Sequence, residues 1–250
     1  MKTEWDYSEL ADAYLDRPPY STDALRELYR LAGLNPGAVV CDIGAGVAHL
    51  TIPLLEAGFK VTAVEPNDAM RANGLKQTAR YSEVNWVEAG GEETGQPDCY
   101  FDFVTFGSSF NVMDRTKAMK ETHRILKPEG SFACLWNHRD LDDPIQKHIE
   151  SLIAKVIPGY DYGVRREDQS EVIASSGLFR DVRTVTGRLV YTQKVERTIE
   201  AWRSHATLNR QAGDKFKAIV DKISAYLKSL GREDIDIPYT TRAWWARKAG

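Results

Sequence analysis

The chain has 250 residues, near the upper limit for a single hydrophobic core, so one domain with a lobe or lid is favoured, although two domains are not excluded. Apolar residues make up 42% of the chain and charged residues 28%, and these globular proportions exclude a disordered, collagen-like or coiled-coil protein. The 33 basic and 36 acidic side chains give a net charge of −3, so no global positive field exists to hold nucleic acid.

Three further features of the sequence indicate whether the chain spans a membrane, where it is located and whether it binds a metal. The longest stretch without charged residues, 43–55, is shorter than the roughly 20 residues that a membrane-spanning helix needs. The N-terminus is acidic from its fourth residue, so no signal peptide is expected and the predicted location is cytoplasmic. Cys41, Cys99 and Cys134 are odd in number and widely spaced, which predicts buried reduced thiols and neither disulfides nor a metal site.

Helical and strand patterns alternate from the start of the chain. Apolar residues at helical spacing from Leu25 to Ala32 predict an amphipathic helix that Ser21 caps. Short apolar runs then predict strands at 38–43, 60–65, 84–87, 101–106 and 132–136. Helical patterns separate them at about 47–57, at 68–80 and after residue 114. This alternation predicts a doubly wound α/β sheet whose ligands lie beyond the carboxyl ends of the strands.

The alternation becomes less regular after residue 136. Helical patterns lie at about 144–156 and 167–176, and a strand is predicted at 179–185. A stripe of apolar residues over 216–230 predicts a lid helix, and β-branched and aromatic residues at 239–248 predict a last strand.

The segment 42–49 lies at the first strand-to-helix turn, and Glu65 closes the next strand. Glycines in a turn let the backbone approach a ligand, and the start of a helix presents free N–H groups, so a nucleoside-containing cofactor is expected. His49 stands where a dinucleotide fingerprint requires its last glycine, and no Gly-Lys-Ser/Thr motif follows the turn.

Asp42 narrows the choice of cofactor because its carboxylate is expected at the mouth of the turn. No lysine or arginine lies between Asp42 and Lys60, so a pyrophosphate would meet a like charge and no cation. The acid favours a positively charged ligand. S-adenosylmethionine carries a sulfonium and an ammonium group and no phosphate, and Glu65 is placed to accept hydrogen bonds from its ribose hydroxyls.

Further motifs give the chain a family resemblance. They are Tyr14-x-x-Arg17-Pro18-x-Tyr20, Gly91-Glu92-Glu93-Thr94-Gly95, Phe101-Asp102-Phe103-Val104-Thr105-Phe106-Gly107 and Arg124-Ile125-Leu126-Lys127-Pro128-Glu129-Gly130. The chain resembles the class I S-adenosylmethionine-dependent methyltransferases, in the small-molecule branch similar to trans-aconitate methyltransferase. The resemblance covers residues 14–137 well and the C-terminal part more loosely.

The resemblance implies a Rossmann-like sheet, mostly parallel with an antiparallel last strand, and a helical lid. On this basis we divide the chain into four parts. These are N-terminal cap helices (1–35), an S-adenosylmethionine-binding core (36–190), a helical lid insertion (191–236) and the last core strand (237–250).

The resemblance also implies which residues surround the cofactor. Gly44 and Gly46 lie beneath the methionine moiety, with Ala48 where the family has a third glycine. Glu65 lies at the ribose and Glu92 near the adenine. The segment from Phe106 to Phe110 flanks the transferred methyl group. Tyr14, Arg17 and Tyr20 either cover the cofactor and meet its carboxylate or pack an N-terminal helix.

Fewer residues define the acceptor side of the predicted site. His138 and Arg139 follow the strand 132–136, in the crevice where substrate lies, and His205 lies in the lid. These three are the catalytic candidates, and Arg242 is a further candidate to close over substrate. Their alternative roles are at a strand end or on the surface.

Together these features predict an enzyme that transfers a methyl group from S-adenosylmethionine to a small molecule by in-line displacement, with the protein supplying alignment and exclusion of water. An oxygen acceptor is favoured, either a hydroxyl or a carboxylate paired with Arg139 or Arg242. N- or C-methylation is the alternative within this class. A nicotinamide-dependent oxidoreductase and a non-catalytic S-adenosylmethionine-binding module are alternatives from other classes. No membrane partner is predicted, and the sequence leaves the oligomeric state open.

Overall fold

A computed structural model describes residues 11–203 and 205–250 of the chain. The first ten residues of the predicted cap and Ser204 of the predicted lid lie outside the described residues. Within the described ranges, seven strands form one sheet. They are β1 (Val39–Ile43), β2 (Lys60–Val64), β3 (Val84–Val87), β4 (Phe101–Gly107), β5 (Leu126–Arg139), β6 (Phe179–Lys194) and β7 (Asp234–Lys248).

The sheet has the strand order β3-β2-β1-β4-β5-β7-β6. Strands β1 to β5 pair in parallel, and β7 pairs antiparallel with both β5 and β6. The predicted doubly wound sheet with an antiparallel last strand is therefore confirmed. The chain order reverses between β1 and β4, and such a reversal opens a crevice at the carboxyl ends of the two strands.

Helices cover both faces of the sheet. Ser21 caps the amphipathic helix α2 by accepting a hydrogen bond from the backbone of Ala24, as the sequence predicts. The helices are α1 (Ala11–Tyr14), α2 (Thr22–Leu31), α3 (Thr51–Glu56), α4 (Asp68–Thr78), α5 (Arg115–Ile125), α6 (Pro144–Ala154), α7 (Ser170–Ser175), α8 (Val195–Arg203), α9 (Ala206–Ala212) and α10 (Phe216–Ser229).

The helix predicted at 47–57 is shorter in the structure. Ala48 has a φ of 79°, a left-handed conformation in which a helix cannot begin, so α3 starts only at Thr51. Ala48 keeps the backbone shape that glycine usually provides, even though its methyl group is fully buried. The loop between β1 and α3 is therefore longer than predicted, and more of its backbone N–H and C=O groups lie outside a helix.

Strands β6 and β7 are longer than the predicted 179–185 and 239–248. They pair with each other from Phe179 opposite Lys248 to Lys194 opposite Asp234. Proline is disfavoured in the interior of a strand, so Pro238 led to a predicted strand that was too short. The pairing of β7 with β5 begins at Tyr239, so residues 234–238 of β7 pair only with β6.

The helices α6, α8, α9 and α10 form a lid with its own apolar core. Trp202 and Ile223 are almost fully buried there, against the extended ends of β6 and β7. The apolar stripe at 216–230 is confirmed as α10, and the strand β6 occupies the first residues of the predicted lid. The division into four parts stays a prediction.

The cysteines correct one expectation. Cys41 and Cys134 are buried in the sheet, but Cys99 is exposed. It lies in the turn before β4 with a φ of 51°, where the chain must stay at the surface.

Candidate active site

The turn between β1 and α3 depends on glycine at two positions. Gly44 has a φ of 69°, and a Cβ there would lie 2.4 Å from the Cβ of Ser109, so no larger residue fits. Gly46 has a φ of 56°, and a Cβ there would meet no atom within 4 Å. The backbone at Gly46 thus borders open space at the carboxyl end of β1, as a cofactor cradle requires.

Asp42 lies beneath this turn and not at its mouth, which corrects the interpretation from the sequence. Its side chain is 0% exposed, and its two oxygens accept hydrogen bonds from the hydroxyls of Thr51 at 2.7 Å and Thr105 at 2.9 Å. Burial raises the pKa of Asp42 to about 6, although both hydroxyls lower it. The carboxylate joins the start of α3 and β4 to β1, so its charge acts on a ligand only through the turn.

Glu65 directly follows β2 and fixes the turn from the other side. Its Oε2 accepts a hydrogen bond of 2.9 Å from the backbone nitrogen of Gly46, and its Oε1 accepts one of 2.9 Å from that of Asn67. Burial raises the pKa of Glu65, and these two N–H groups lower it. An ionised carboxylate has about four acceptor positions, so two remain for ribose hydroxyls. The predicted ribose contact stays a prediction.

The loop after β3 carries Glu92, the residue expected near the adenine. Glu92 Oε1 accepts a hydrogen bond of 2.9 Å from the backbone nitrogen of Asp114, the cap of α5. The neighbouring Gly91 is buried, and a Cβ there would lie 2.6 Å from the sulfur of Met113 and 2.8 Å from Cγ2 of Ile43. The loop therefore packs directly beside the end of β1, on the β3 side of the crevice.

Phe106 and Phe110 do not flank an open crevice, which corrects a second expectation. Both side chains are 0% exposed, and their rings meet edge to face at 5.2 Å between centroids. They pack with Phe132 in the core on one face of the sheet. The motif 101–107 does form the strand β4, as its sequence predicts. Side chains alternate between the two faces along a strand, and this alternation directs Phe106 into the core.

Two serines within the predicted segment 106–110, which the sequence analysis did not single out, follow the end of β4. Ser109 donates a hydrogen bond of 2.6 Å to the carbonyl oxygen of Ile43 and packs on Gly44. Ser108 has a φ of 60°, an uncommon conformation for a residue other than glycine that is often found at functional sites. Their position after a strand at the reversal of strand order was the available signal.

Residues 14–20, here called the strap, cross the first turn. The carbonyl oxygen of Tyr14 lies 2.6 Å from Nε2 of His49, and because a carbonyl can only accept, Nε2 carries the proton. At the other end, the hydroxyls of Tyr20 and Ser108 lie 3.1 Å apart. Burial raises the pKa of Tyr20 to about 12, so its hydroxyl is protonated at neutral pH.

The strap is also attached to β5 and to α8. The amide of Asn137 at the end of β5 donates to the carbonyl oxygens of Pro18 at 3.2 Å and Pro19 at 2.8 Å. Asp16 pairs with Arg197 of α8 at 3.1 Å. Arg17 is exposed, with its guanidinium 3.8 Å from the ring centroid of Tyr14. The strap thus spans from the cofactor turn to the lid.

Arg139 is the best-placed of the three catalytic candidates. Its guanidinium lies 4.3 Å from the ring centroid of Trp202, and its Nε donates to the Tyr239 hydroxyl at 3.2 Å. Burial lowers the pKa of Arg139, but Tyr239, Tyr162 and Glu150 raise it above its usual value. In residues 11–203 and 205–250, no carboxylate forms an ion pair with Arg139.

His138, His205 and Arg242 are placed differently. His138 lies partly buried in β5 opposite Thr240 of β7. His205 stacks on Trp202 at 5.0 Å between centroids, and its Nδ1 caps α9 by accepting from Leu208. Arg242 pairs with the exposed Asp168 at 3.3 Å, and its expected role in closing over substrate stays a prediction.

The described residues show neither a membrane-spanning helix nor a cluster of metal ligands. None of the helices in this part of the chain has the length and apolar character to cross a bilayer. No group of three or more His, Cys, Asp or Glu side chains converges in the described ranges.

The fold and the turn define a protein that binds a nucleoside cofactor at the carboxyl edge of a Rossmann-like sheet, and comparisons with known proteins specify which cofactor. A family model described as a methyltransferase domain matches residues 41–134. The ubiquinone/menaquinone biosynthesis C-methyltransferase UbiE of Shewanella woodyi is 30% identical over 168 residues, which cover 64% of this chain and 67% of that protein. The chain therefore belongs to the class I S-adenosylmethionine-dependent methyltransferases, and S-adenosylmethionine is its cofactor.

Other similarities are shorter or concern the fold alone. UbiE of Vibrio vulnificus is 31% identical over 135 residues, and the chain spans about half of that protein, 52%. The Haemonchus contortus phosphoethanolamine N-methyltransferase 2, solved with phosphomonomethylethanolamine and S-adenosylhomocysteine, has a TM-score of 0.57 and 17% identity over 97% of this chain and 58% of that chain. The [4+2]-cyclase SpnF has a TM-score of 0.54 and 14% identity over 99% of this chain and 84% of that chain.

The residues at the turn fit this cofactor. Open space at Gly46 admits a ligand against the backbone, and Glu65 retains acceptor positions beside it. No lysine or arginine lies in the turn itself, which suits a ligand without phosphate. The particular contacts of Gly44, Gly46, Glu65, Glu92 and the strap with S-adenosylmethionine are proposals.

Proposed function

We propose that the protein transfers a methyl group from S-adenosylmethionine to an oxygen of a small anionic acceptor, most directly a carboxylate. The observation that carries this proposal is Arg139, a partly buried guanidinium at the carboxyl end of β5 with no carboxylate partner among the described residues. Although burial lowers it, Tyr239, Tyr162 and Glu150 raise the pKa of Arg139, so its guanidinium stays charged without a paired carboxylate, and a site of this kind is suited to an anionic ligand.

The surroundings of Arg139 support anion binding. Trp202 and Tyr239 fix the guanidinium by cation–π contact and by a hydrogen bond, which leaves its terminal N–H groups for a planar, two-oxygen partner. The indole nitrogen of Trp202 is also buried without a hydrogen-bond partner among the described residues. The resemblance to trans-aconitate methyltransferase points the same way, because that branch includes carboxyl methyltransferases.

The mechanism then depends mainly on alignment. When bound, S-adenosylmethionine supplies a methyl group on a positively charged sulfur, which is already a good leaving group. Glu65 and the backbone at Gly46 would hold the cofactor at the end of β1, and Arg139 would hold the acceptor at the end of β5. The strap, attached to both sides, would exclude water from the space between them.

A carboxylate acceptor is already ionised at neutral pH, so no side chain has to remove a proton. A hydroxyl or ammonium acceptor would need a base, and His138 is the candidate for that role. His205 is less suitable because its Nδ1 already accepts the hydrogen bond that caps α9.

Methyl transfer to carbon is the second candidate, and the similarity to UbiE favours it. The C-methyltransferase activity that these names state belongs to proteins of which the chain spans between 52% and 67%. A protein named as a [4+2]-cyclase has the same fold, so the fold alone does not separate an enzyme that transfers methyl groups from a non-catalytic module that binds the cofactor. Membership of the methyltransferase family argues against the nicotinamide-dependent alternative.

Methyl transfer from labelled S-adenosylmethionine into a metabolite extract, read by mass spectrometry, tests the proposal. Products that release labelled methanol in alkali are carboxyl esters and support it. Alkali-stable products contradict the carboxylate acceptor and favour hydroxyl, nitrogen or carbon. Firm cofactor binding without any labelled product would identify a non-catalytic module.

A substitution of Arg139 tests the site itself. Loss of a charge-assisted pair predicts that Arg139→Gln raises the acceptor KM about 10- to 100-fold and leaves the Kd of S-adenosylmethionine unchanged. Arg242→Gln is the matched control, since Arg242 pairs with Asp168, and we expect its acceptor KM to equal that of the wild type.

A further inference from the structure

The loop after β3 is attached to α5 at three successive points. Glu92 accepts from the backbone of Asp114 before the helix, Thr94 contacts Glu121 within it, and Asp98 pairs with Arg124 near its end. The loop therefore runs along the helix in a fixed register. Nothing in the sequence patterns assigns a role to Glu121, and Thr94 enters them only as part of the motif 91–95.

The middle attachment is the most enclosed of the three. Glu121 Oε1 accepts hydrogen bonds from both the backbone nitrogen of Thr94 at 2.8 Å and its hydroxyl at 2.5 Å. Thr94 is 1% exposed and Glu121 is 8% exposed. Two donors from one residue converge on a single carboxylate oxygen, which fixes both the backbone and the side chain at this point of the loop.

Arg124 holds the carboxylate of Glu121 in place. Its Nε donates to Glu121 Oε2 at 2.8 Å and its Nη2 donates to Glu121 Oε1 at 2.7 Å, a two-bond pairing that restricts the carboxylate to one plane. The backbone carbonyl of Arg124 also accepts from the backbone of Cys99 at 3.0 Å. The far end of the loop is thus attached to the same helical residue.

We infer that Glu121 and Thr94 are positioning residues for the adenine end of the cofactor site. They fix the loop that carries Gly91 and Glu92 beside the end of β1, where Gly91 leaves no room for a Cβ next to Ile43. The inference rests on the proposal that Glu92 and its neighbours lie near the adenine. On this inference the carboxylate of Glu121 on α5 influences cofactor binding indirectly, by holding the loop in position.

The test compares two ligands that share the adenine and ribose. Thr94→Val removes the hydroxyl donor at nearly constant volume, and Kd is measured by isothermal titration for S-adenosylmethionine and for 5′-methylthioadenosine, which lacks the amino acid moiety. We expect Kd to rise about tenfold for both ligands, with equal factors because the disturbed contact is on the adenine side. The KM of the cofactor should rise with kcat unchanged.

Conservative and control variants separate positioning from folding. Thr94→Ser keeps both donors to Glu121 and should restore wild-type Kd values. Thr192→Val is the matched control, because Thr192 donates to Asp236 in an exposed part of β6 and β7. A purely structural role would lower the melting temperature of Thr94→Val without changing Kd at a temperature where the protein is folded, and this result would overturn the inference.

A second variant covers the case in which Thr94→Val does not fold. Asp98→Ala removes an exposed side chain that pairs with Arg124, so the core is untouched, and we expect both Kd values to rise two- to threefold. Unchanged values would contradict the inference. If the wild-type chain itself does not bind S-adenosylmethionine, the proposed function fails; if it binds and the loop variants bind equally well, only this inference fails.

Discussion

The hydroxyl oxygens of Tyr20 and Ser108 lie 3.1 Å apart and join the strap to the end of β4. Eighty-eight residues separate the two in sequence. The contact lies beside the crevice where the order of strands reverses, and it occurs at a serine with a left-handed backbone. The strap, the turn and the end of β4 are therefore one connected unit.

Removing the Tyr20 hydroxyl should weaken cofactor binding. A single hydrogen bond contributes about 0.5–1.5 kcal/mol, so we expect Tyr20→Phe to raise the Kd of S-adenosylmethionine by roughly three- to tenfold in isothermal titration. Tyr29→Phe is the control, since the Tyr29 hydroxyl is buried and has no partner among the described residues. Equal Kd values for the two variants would argue against a role of the strap in binding.

The conformation of Ser108 gives a second prediction. At a φ of 60° glycine is free of the strain that a Cβ causes, so Ser108→Gly should be about 1 kcal/mol more stable than Ser108→Ala. Both variants lose the hydroxyl, so the hydrogen bond to Tyr20 cancels in the comparison. For a chain of this size the difference corresponds to about 2–4 °C in melting temperature. Identical melting temperatures would show that the site carries no backbone strain.

Asp42 predicts an unusual pH dependence of stability. Its pKa rises from 3.8 in the unfolded chain to about 6 in the fold, so between these values the folded protein binds more protons than the unfolded one. The Asp42 contribution to the free energy of unfolding therefore decreases as pH rises from about 4 to 6, by roughly 3 kcal/mol, and stays constant above that range.

The variant Asp42→Asn removes this term alone. We expect the stability of the variant relative to the wild type to rise by roughly 3 kcal/mol between pH 4 and pH 7, measured by urea unfolding at both values. Carboxylates remote from Asp42, such as Asp168 with its pKa lowered to about 2 by hydrogen bonds with Ser170, are present in both proteins and cancel. Parallel pH profiles would contradict the raised pKa of Asp42.

Asn137 gives a prediction about the movement of the strap. Asn137→Ala removes the donors to Pro18 and Pro19 and the acceptor of the Thr241 hydroxyl. We expect faster hydrogen exchange in a peptide covering 14–24 and unchanged exchange in α4, measured by mass spectrometry. Added S-adenosylmethionine should slow the exchange of this peptide in the wild type. Equal exchange with and without the cofactor would separate the strap from the binding site.

Local sequence patterns were sufficient for most of the fold. Buried strands of a parallel sheet read as short apolar runs, and the cap Ser21 and the stripe in α10 are local signals as well. The glycines at positions 44 and 46 and the acid at 65 could be placed for the same reason, since each lies within a few residues of a strand end. The extension of β6 and β7 could not be predicted, because it depends on pairing between residues at least forty positions apart.

Which side chains face a ligand was decided by the tertiary structure. Asp42 is sealed by Thr105, which lies 63 residues away in sequence, and Arg242 is paired with Asp168, 74 residues away. Arg139 forms no ion pair with a carboxylate among the described residues. The local sequence around Arg139 and Arg242 does not reveal this difference between them. The sequence by itself determined the strands and the cofactor turn, because these follow from neighbouring residues, and the class of cofactor followed from the family resemblance. Only the tertiary structure decided which charges remain available to an acceptor, because burial and pairing depend on residues that the fold brings together.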